Sequence, residues 1–188
     1  MRLILASQSP RRLELLARLG VVPDAVIPAD IDETEHKGEL PIIYAKRVAA
    51  AKAAAVAEPG ALTLAADVVV AAGRRILPKA ETEQQGRHCL ELLSGRRHRV
   101  HAAVTLVDAD GKARHRLSSS IVTFKRLSAE EVDAYIASDE WRGKAGGYAI
   151  QGRAEALIKA ISGSYSGVMG LPLYETRVLL RAAGYTLG

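Results

Sequence analysis

Residues 3–20 read LILASQSPRRLELLARLG, and this stretch decides the class of fold. Leu3 to Ala6 form a short, wholly apolar run of the kind a buried strand makes. Ser7, Gln8 and Ser9 then turn the chain. Ser9 stands at an N-cap position, Pro10 at the first helical position, and Gly20 closes an amphipathic helix. A strand feeding a helix this early predicts a mixed chain. The same turn poses an electrostatic problem, because Arg11 and Arg12 fall at the second and third helical positions. The helix dipole is positive there, and a misplaced cation costs roughly 0.3–1 kcal/mol. Either both side chains run out into solvent, or an anion sits at the turn. Free N–H groups of a first helical turn already make an anion site. Two guanidiniums add forked donors suited to phosphate, so an anionic ligand would resolve the conflict.

The rest of the chain continues the alternation. AVIP (25–28) reads as a strand, residues 29–40 as an acidic loop, and YAKRVAAAKAAAV, opened near Pro41, as a helix. LTLAADVVVAA (62–72) is strand-like and turns at Gly73. TEQQ (82–85) and SAEE (128–131) carry the capping-box pattern and open two more helices. Residues 98–108 and 113–125 flank DADG and predict a long hairpin. Residues 138–152 are glycine-rich and irregular. RAEALIKAI reads as helical, SGSYSGVMG as a loop, and Pro172 opens a last helix closed by Gly184. Strands mixed with helices make the chain α/β or α+β, in one domain with no internal repeat or long linker.

Composition limits the classes of function. A net charge of +5 over 188 residues suits a polyanionic partner such as a nucleotide, a nucleic acid or an acidic surface. Aromatic residues are only 4%, which argues against single-strand nucleic-acid binding by stacking. One cysteine, Cys89, excludes an intrachain disulfide framework and reads as a buried structural thiol. No apolar run reaches membrane-spanning length. The start, MRLILASQSPRR, reads as mature sequence, not a signal peptide, so a cytoplasmic location is expected. His98 and His101 are three apart on a predicted strand and face opposite sides, so the five histidines make no convincing zinc set. There is no GxxxxGK[ST] and no GxGxxG.

Asp67 is the other conspicuous residue. A carboxylate amid LTLAADVVVAA is costly unless paired, metal-bound or at a strand end, so it is either a strand-end aspartate or a metal ligand or general base. Glu33, in DIDETE, is a candidate second carboxylate from a loop. By themselves, Lys52 on its alanine-rich helix and Lys79 after Pro78 read as surface lysines.

Taken together, LILASQSPRRLELL, ADVVV, LSGRRHRVHAAVTL, KAGGYAIQG and SYSGVMGLPLYET resemble, in this order, the Maf family of nucleoside triphosphate pyrophosphatases. The resemblance runs from about Leu3 to Gly184. It implies an ITPase-like α/β fold, with a long curved mixed sheet and helices forming two lobes around a cleft. It implies a cytoplasmic enzyme, often homodimeric, that cleaves a nucleoside triphosphate to the monophosphate and pyrophosphate with a divalent metal, Mg²⁺ or Mn²⁺. No nucleic-acid or membrane partner is implied. Residue by residue, Asp67 takes the general-base role and Glu33 and Asp67 the metal. Arg11, Arg12, Lys52 and Lys79 face the triphosphate, in a pocket that begins at Ser7 and Ser9, and Gln151 reads the base. SPRR and AIQG resemble the dTTP/UTP branch more than the 7-methyl-GTP branch. The alternatives are 7-methyl-GTP or broad specificity, or a nucleotide-binding regulator of septum formation without turnover. Two departures concern specificity. Val68 stands where the dTTP/UTP branch usually has Thr, and Pro78-Lys79-Ala80 where it usually has Gly-Lys-Pro.

Overall fold

The computed structural model describes residues 1–187. Seven strands form one mixed sheet in the order β2-β1-β3-β5-β6-β7, with β4 pairing β3. The elements are β1 (Leu3–Ala6), α1 (Pro10–Ala17), β2 (Ala25–Val26), α2 (Pro41–Ala55), β3 (Leu62–Ala72), β4 (Arg75–Leu77) and α3 (Glu83–Leu93). They continue with β5 (Arg97–Val107), β6 (Ala113–Phe124), α4 (Ala129–Ala137), a 3₁₀ turn (Arg153–Leu157), β7 (Ile158–Ser162), α5 (Tyr165–Met169) and α6 (Leu173–Ala182). The predicted α/β class, the long hairpin β5–β6 and both capping boxes are present.

β3 is buried along both faces because each face is covered. On one face Leu62, Leu64, Ala66 and Val70 join Leu15 and Leu16 of α1, Leu90 and Leu93 of α3 and Leu179 and Leu180 of α6. On the other face Ala65 and Val69 lie under Ala45, Ala49 and Ala53 of α2. These contacts are small against small, so α2 rides close on the sheet. That approach buries Lys52, which is only 8% exposed. The reading of Lys52 as a surface lysine from its helix alone is therefore corrected.

Pairing along the edge of β3 creates the opening used below. β5 pairs one edge continuously from Thr63 to Ala71. On the other edge β1 runs parallel to Leu62–Ala65, and β4 runs antiparallel to Val70–Ala72. Residues 66–69 have no strand beside them on that edge. The gap lies just beyond the carboxyl end of β1, where ligands of parallel α/β sheets bind.

Three local expectations are corrected. Residues 153–161 make only a 3₁₀ turn before Ile158–Ser162 pair with the edge of β6. Within SGSYSGVMG, Tyr165–Met169 form a short helix capped by the Ser164 hydroxyl. Ser9 occupies the N-cap position of α1, but its side chain makes no capping bond.

His98 and His101 do face opposite sides. His98 Nε2 lies 2.8 Å from the Tyr148 hydroxyl, and His101 Nδ1 lies 2.8 Å from that of Ser119. Burial pushes the His98 pKa down from 6.5 to about 4. Below pH 6.5 the unfolded chain therefore binds a proton that the folded chain refuses, so stability is full above that pH and is lost as pH falls towards about 4. The loss amounts to about 3 kcal/mol. In thermal melts from pH 7 to 4, His98→Phe should flatten this part of the profile. Parallel profiles for the two proteins would remove His98 as its cause.

Candidate active site

The strand-to-helix turn after β1, the loop before α2, the middle of β3 and the segment before the 3₁₀ turn converge on one cleft of about 440 Å³. Ser7, Ser9, Arg11, Arg12, Glu33, Lys52, Asp67, Val68, Lys79 and Gln151 all line it. Every residue singled out from the sequence as a candidate site residue is thus brought to one place.

Its centre is an ion-pair chain. Lys52 Nζ lies 2.8 Å from Asp67 Oδ1 and 2.9 Å from Glu33 Oε1. Lys79 Nζ, on a side chain 60% exposed, lies 3.5 Å from Glu33 Oε2. Asp67 sits in mid-strand at the unpaired stretch of β3, which settles against a strand-end aspartate. Burial pushes its pKa up, and Lys52 and Arg12 oppose that shift. Burial also acts to raise Glu33, but there the hydrogen bond and charge of Lys52, with Lys79, prevail and its pKa falls. The two carboxylates consequently differ: Asp67 is the better proton acceptor and Glu33 the more firmly anionic.

The two arginines divide their work. Arg12 donates from Nε to the Gly170 carbonyl and from Nη1 to the Ser7 hydroxyl, each at 3.0 Å. Gly170, at φ 144°, ends α5 in a conformation suited to glycine, and its carbonyl meets Arg12. The Ser7 hydroxyl also accepts the Ser9 N–H at 3.1 Å, and the Ser9 side chain makes no capping bond. Arg11 is different, because its Nε is buried with no partner. Among the described residues neither arginine has a carboxylate within salt-bridge distance. Burial lowers the pKa of both, so an anion entering the cleft would relieve an existing cost. Arg11→Ala should therefore weaken nucleotide binding at least about tenfold without lowering the melting temperature of the free protein. Arg12→Ala should lower both, because it also severs the Ser7–Gly170 bridge. Equal melting temperatures for the two variants would contradict this division.

Residues missed from the sequence complete the far wall. Lys144, in the segment KAGGYAIQG, lines the cleft. Its pKa is pushed down by burial first and by Arg11 second. Gly146, with φ +68°, packs onto Val70, where an added Cβ would meet the valine at 2.7 Å. Tyr148 reaches His98, and the Tyr135 hydroxyl accepts the Ala149 N–H at 3.0 Å. These contacts carry the exposed Gln151 to the rim. Val68 alternates with Asp67, so it projects to the opposite face, the one on which Val70 meets Gly146. The cleft reaches both faces through the gap in the edge of β3.

Five cations and two carboxylates line the cleft, an excess of three positive charges for an anionic ligand. The two carboxylates already share one cation, the Lys52 ammonium. Among the described residues no third His, Cys, Asp or Glu joins them in a metal-binding group. Such a pair of hard oxygen donors fits Mg²⁺ or Mn²⁺, with phosphate oxygens and water completing the shell. No helix of the described residues is long and apolar enough to cross a membrane.

The family described as Maf-like protein matches residues 2–183. The dTTP/UTP pyrophosphatase of Novosphingobium aromaticivorans is 62% identical over 97% of this chain and 92% of its own. That of Rhodospirillum rubrum is 60% identical over 99% and 90%. In three dimensions the chain is similar to a HAM1 protein from Coxiella burnetii, with a TM-score of 0.53 at 20% identity over 97% of this chain and all of the other. That likeness extends to the fold.

Proposed function

The chain belongs to the Maf family, and from that premise we propose that it hydrolyses dTTP and UTP to the nucleoside monophosphate and pyrophosphate. One observation carries the reading. An Asp67–Lys52–Glu33 ion-pair chain lies beside Arg11, Arg12 and Lys144, none of which has a carboxylate partner among the described residues, in a protein 62% identical to a dTTP/UTP pyrophosphatase. A nucleoside triphosphate brings about four negative charges, so positioning and electrostatics supply most of the catalysis.

In this reading Arg11, Arg12, Lys79 and Lys144 take the triphosphate. Asp67 orients a water and accepts its proton as the water oxygen attacks the α-phosphorus. The α–β bridging oxygen departs with pyrophosphate onto the arginine-bearing turn. Lys52 keeps both carboxylates placed and anionic. Glu33 and Asp67 would hold a divalent cation, which supplies charge neutralisation when bound. Gln151 and Val68 stand on the base side of the cleft. Without the hydroxyl that the dTTP/UTP branch usually has at its position, Val68 offers the base only an apolar contact.

The experiment is a panel of dTTP, UTP, CTP and 7-methyl-GTP with Mg²⁺, reading kcat/KM for pyrophosphate release in the wild type and in Val68→Thr. The expected result is preference for dTTP and UTP, sharpened by threonine. No pyrophosphate from dTTP or UTP, or preference for 7-methyl-GTP, would overturn the reading.

A further inference from the structure

We infer that Arg47, together with Tyr44, is a positioning residue for the Glu33 carboxylate; the inference rests on the role proposed above for Glu33. Residues 27–40 contain no helix or strand. A segment of this length inside a folded domain is usually functional or disordered. Here it carries one arm of the Asp67–Lys52–Glu33 chain, so something must fix it.

Both anchors come from one helix, α2. The Tyr44 hydroxyl donates to the Glu33 carbonyl at 2.8 Å. Arg47 Nη2 donates to the Thr34 carbonyl at 3.0 Å. The same guanidinium grips Glu39 with both arms, Nε to Oε1 and Nη2 to Oε2, each at 2.7 Å. Glu39 is nearly buried, and its Oε2 also accepts the His36 N–H at 3.1 Å. The guanidinium stands 5.4 Å from the centre of the Tyr44 ring, which ties the two anchors together. Lys52, farther along α2, takes the Glu33 side chain. Glu33 is thereby held by its backbone and by its carboxylate from a single rigid element.

The choice of atoms matters. The Arg47–Glu39 pair is part-buried, and its geometry does more than add to global stability. A bidentate arginine that also reaches a main-chain carbonyl supplies direction, and the carbonyls held are those of residues 33 and 34. Lysine keeps the charge at position 47 but has no fork.

The test is a double-mutant cycle of Arg47→Lys and Glu33→Gln, with amide hydrogen exchange of the nucleotide-free protein as a second readout. Arg47→Lys should lower kcat/KM roughly tenfold in the wild-type background and less than about twofold in Glu33→Gln. The amides of Thr34 and His36, which donate to Asp32 and to the Arg47-held Glu39, should exchange at least about tenfold faster in Arg47→Lys, with the core unchanged. Tyr44→Phe should act in the same direction. Equal losses in both backgrounds, or unchanged exchange, would overturn the positioning role. If Glu33→Gln itself kept wild-type activity, the reading of Glu33 would fail. Faster exchange in Arg47→Lys would then show only a loop staple and would likewise overturn the positioning role.

Discussion

Asp67→Asn should lower kcat at least about a hundredfold, the scale of a positioned general base, and should leave the fold and nucleotide affinity nearly unchanged. Asparagine has almost the same shape, and its carbonyl oxygen can still accept from Lys52, so packing under α2 is kept. What it loses is the proton-accepting charge. Burial raises the Asp67 pKa, which strengthens it as a base, and the amide cannot replace that. Turnover should therefore collapse while the affinity for a non-hydrolysable α,β-imido nucleotide stays within a few-fold. A kcat within a few-fold of wild type would take Asp67 out of the mechanism.

Lys52→Met should cost both stability and activity. The ammonium lies between Asp67 and Glu33 at 2.8 and 2.9 Å, and methionine leaves two carboxylates facing each other with no cation. Removing one partner of a buried pair typically costs about 3–5 kcal/mol. Glu33 is one-third exposed and can turn towards water, so the lower end applies here. For a chain of this size about 3 kcal/mol corresponds to a melting temperature lower by roughly 6–12 °C. Activity should fall as well, because Lys52 is the strongest influence opposing the upward shift of Asp67. Without it Asp67 holds a proton nearer neutrality and ceases to be a base. A variant melting within about 2 °C of wild type with near-normal turnover would show that the ion-pair chain is dispensable.

Much of this was legible in the sequence, for reasons that separate local signals from tertiary ones. β3 matches its predicted span because a segment with nine apolar residues in eleven has no other place to go. Asp67 stood out because a carboxylate inside such a run needs a partner. Capping boxes announced α3 and α4, since both halves of each box lie within four residues. Lys52 was readable only through the family resemblance, because its burial depends on how closely an alanine-rich helix approaches alanines on the sheet. Residues 153–161 misread because apolar spacing at Leu157, Ile158 and Ile161 suits a helix, while the free edge of β6 captured them as a strand. The gap at residues 66–69 depends on where β1 ends and β4 begins. The loop anchors Tyr44 and Arg47 are contacts between segments, and no spacing within either segment announces them.

Attack at the α-phosphorus is the step on which every role proposed for the cleft depends. Hydrolysis of dTTP by the purified protein in ¹⁸O-labelled water, with both products analysed by mass spectrometry, tests it most directly. The predicted result is dTMP and pyrophosphate, with the label on the dTMP phosphate and none in pyrophosphate. Label in pyrophosphate would place the attack at the β-phosphorus, and release of dTDP with labelled orthophosphate would place it at the γ-phosphorus. Either result would contradict the arrangement of Asp67 and the arginines described above.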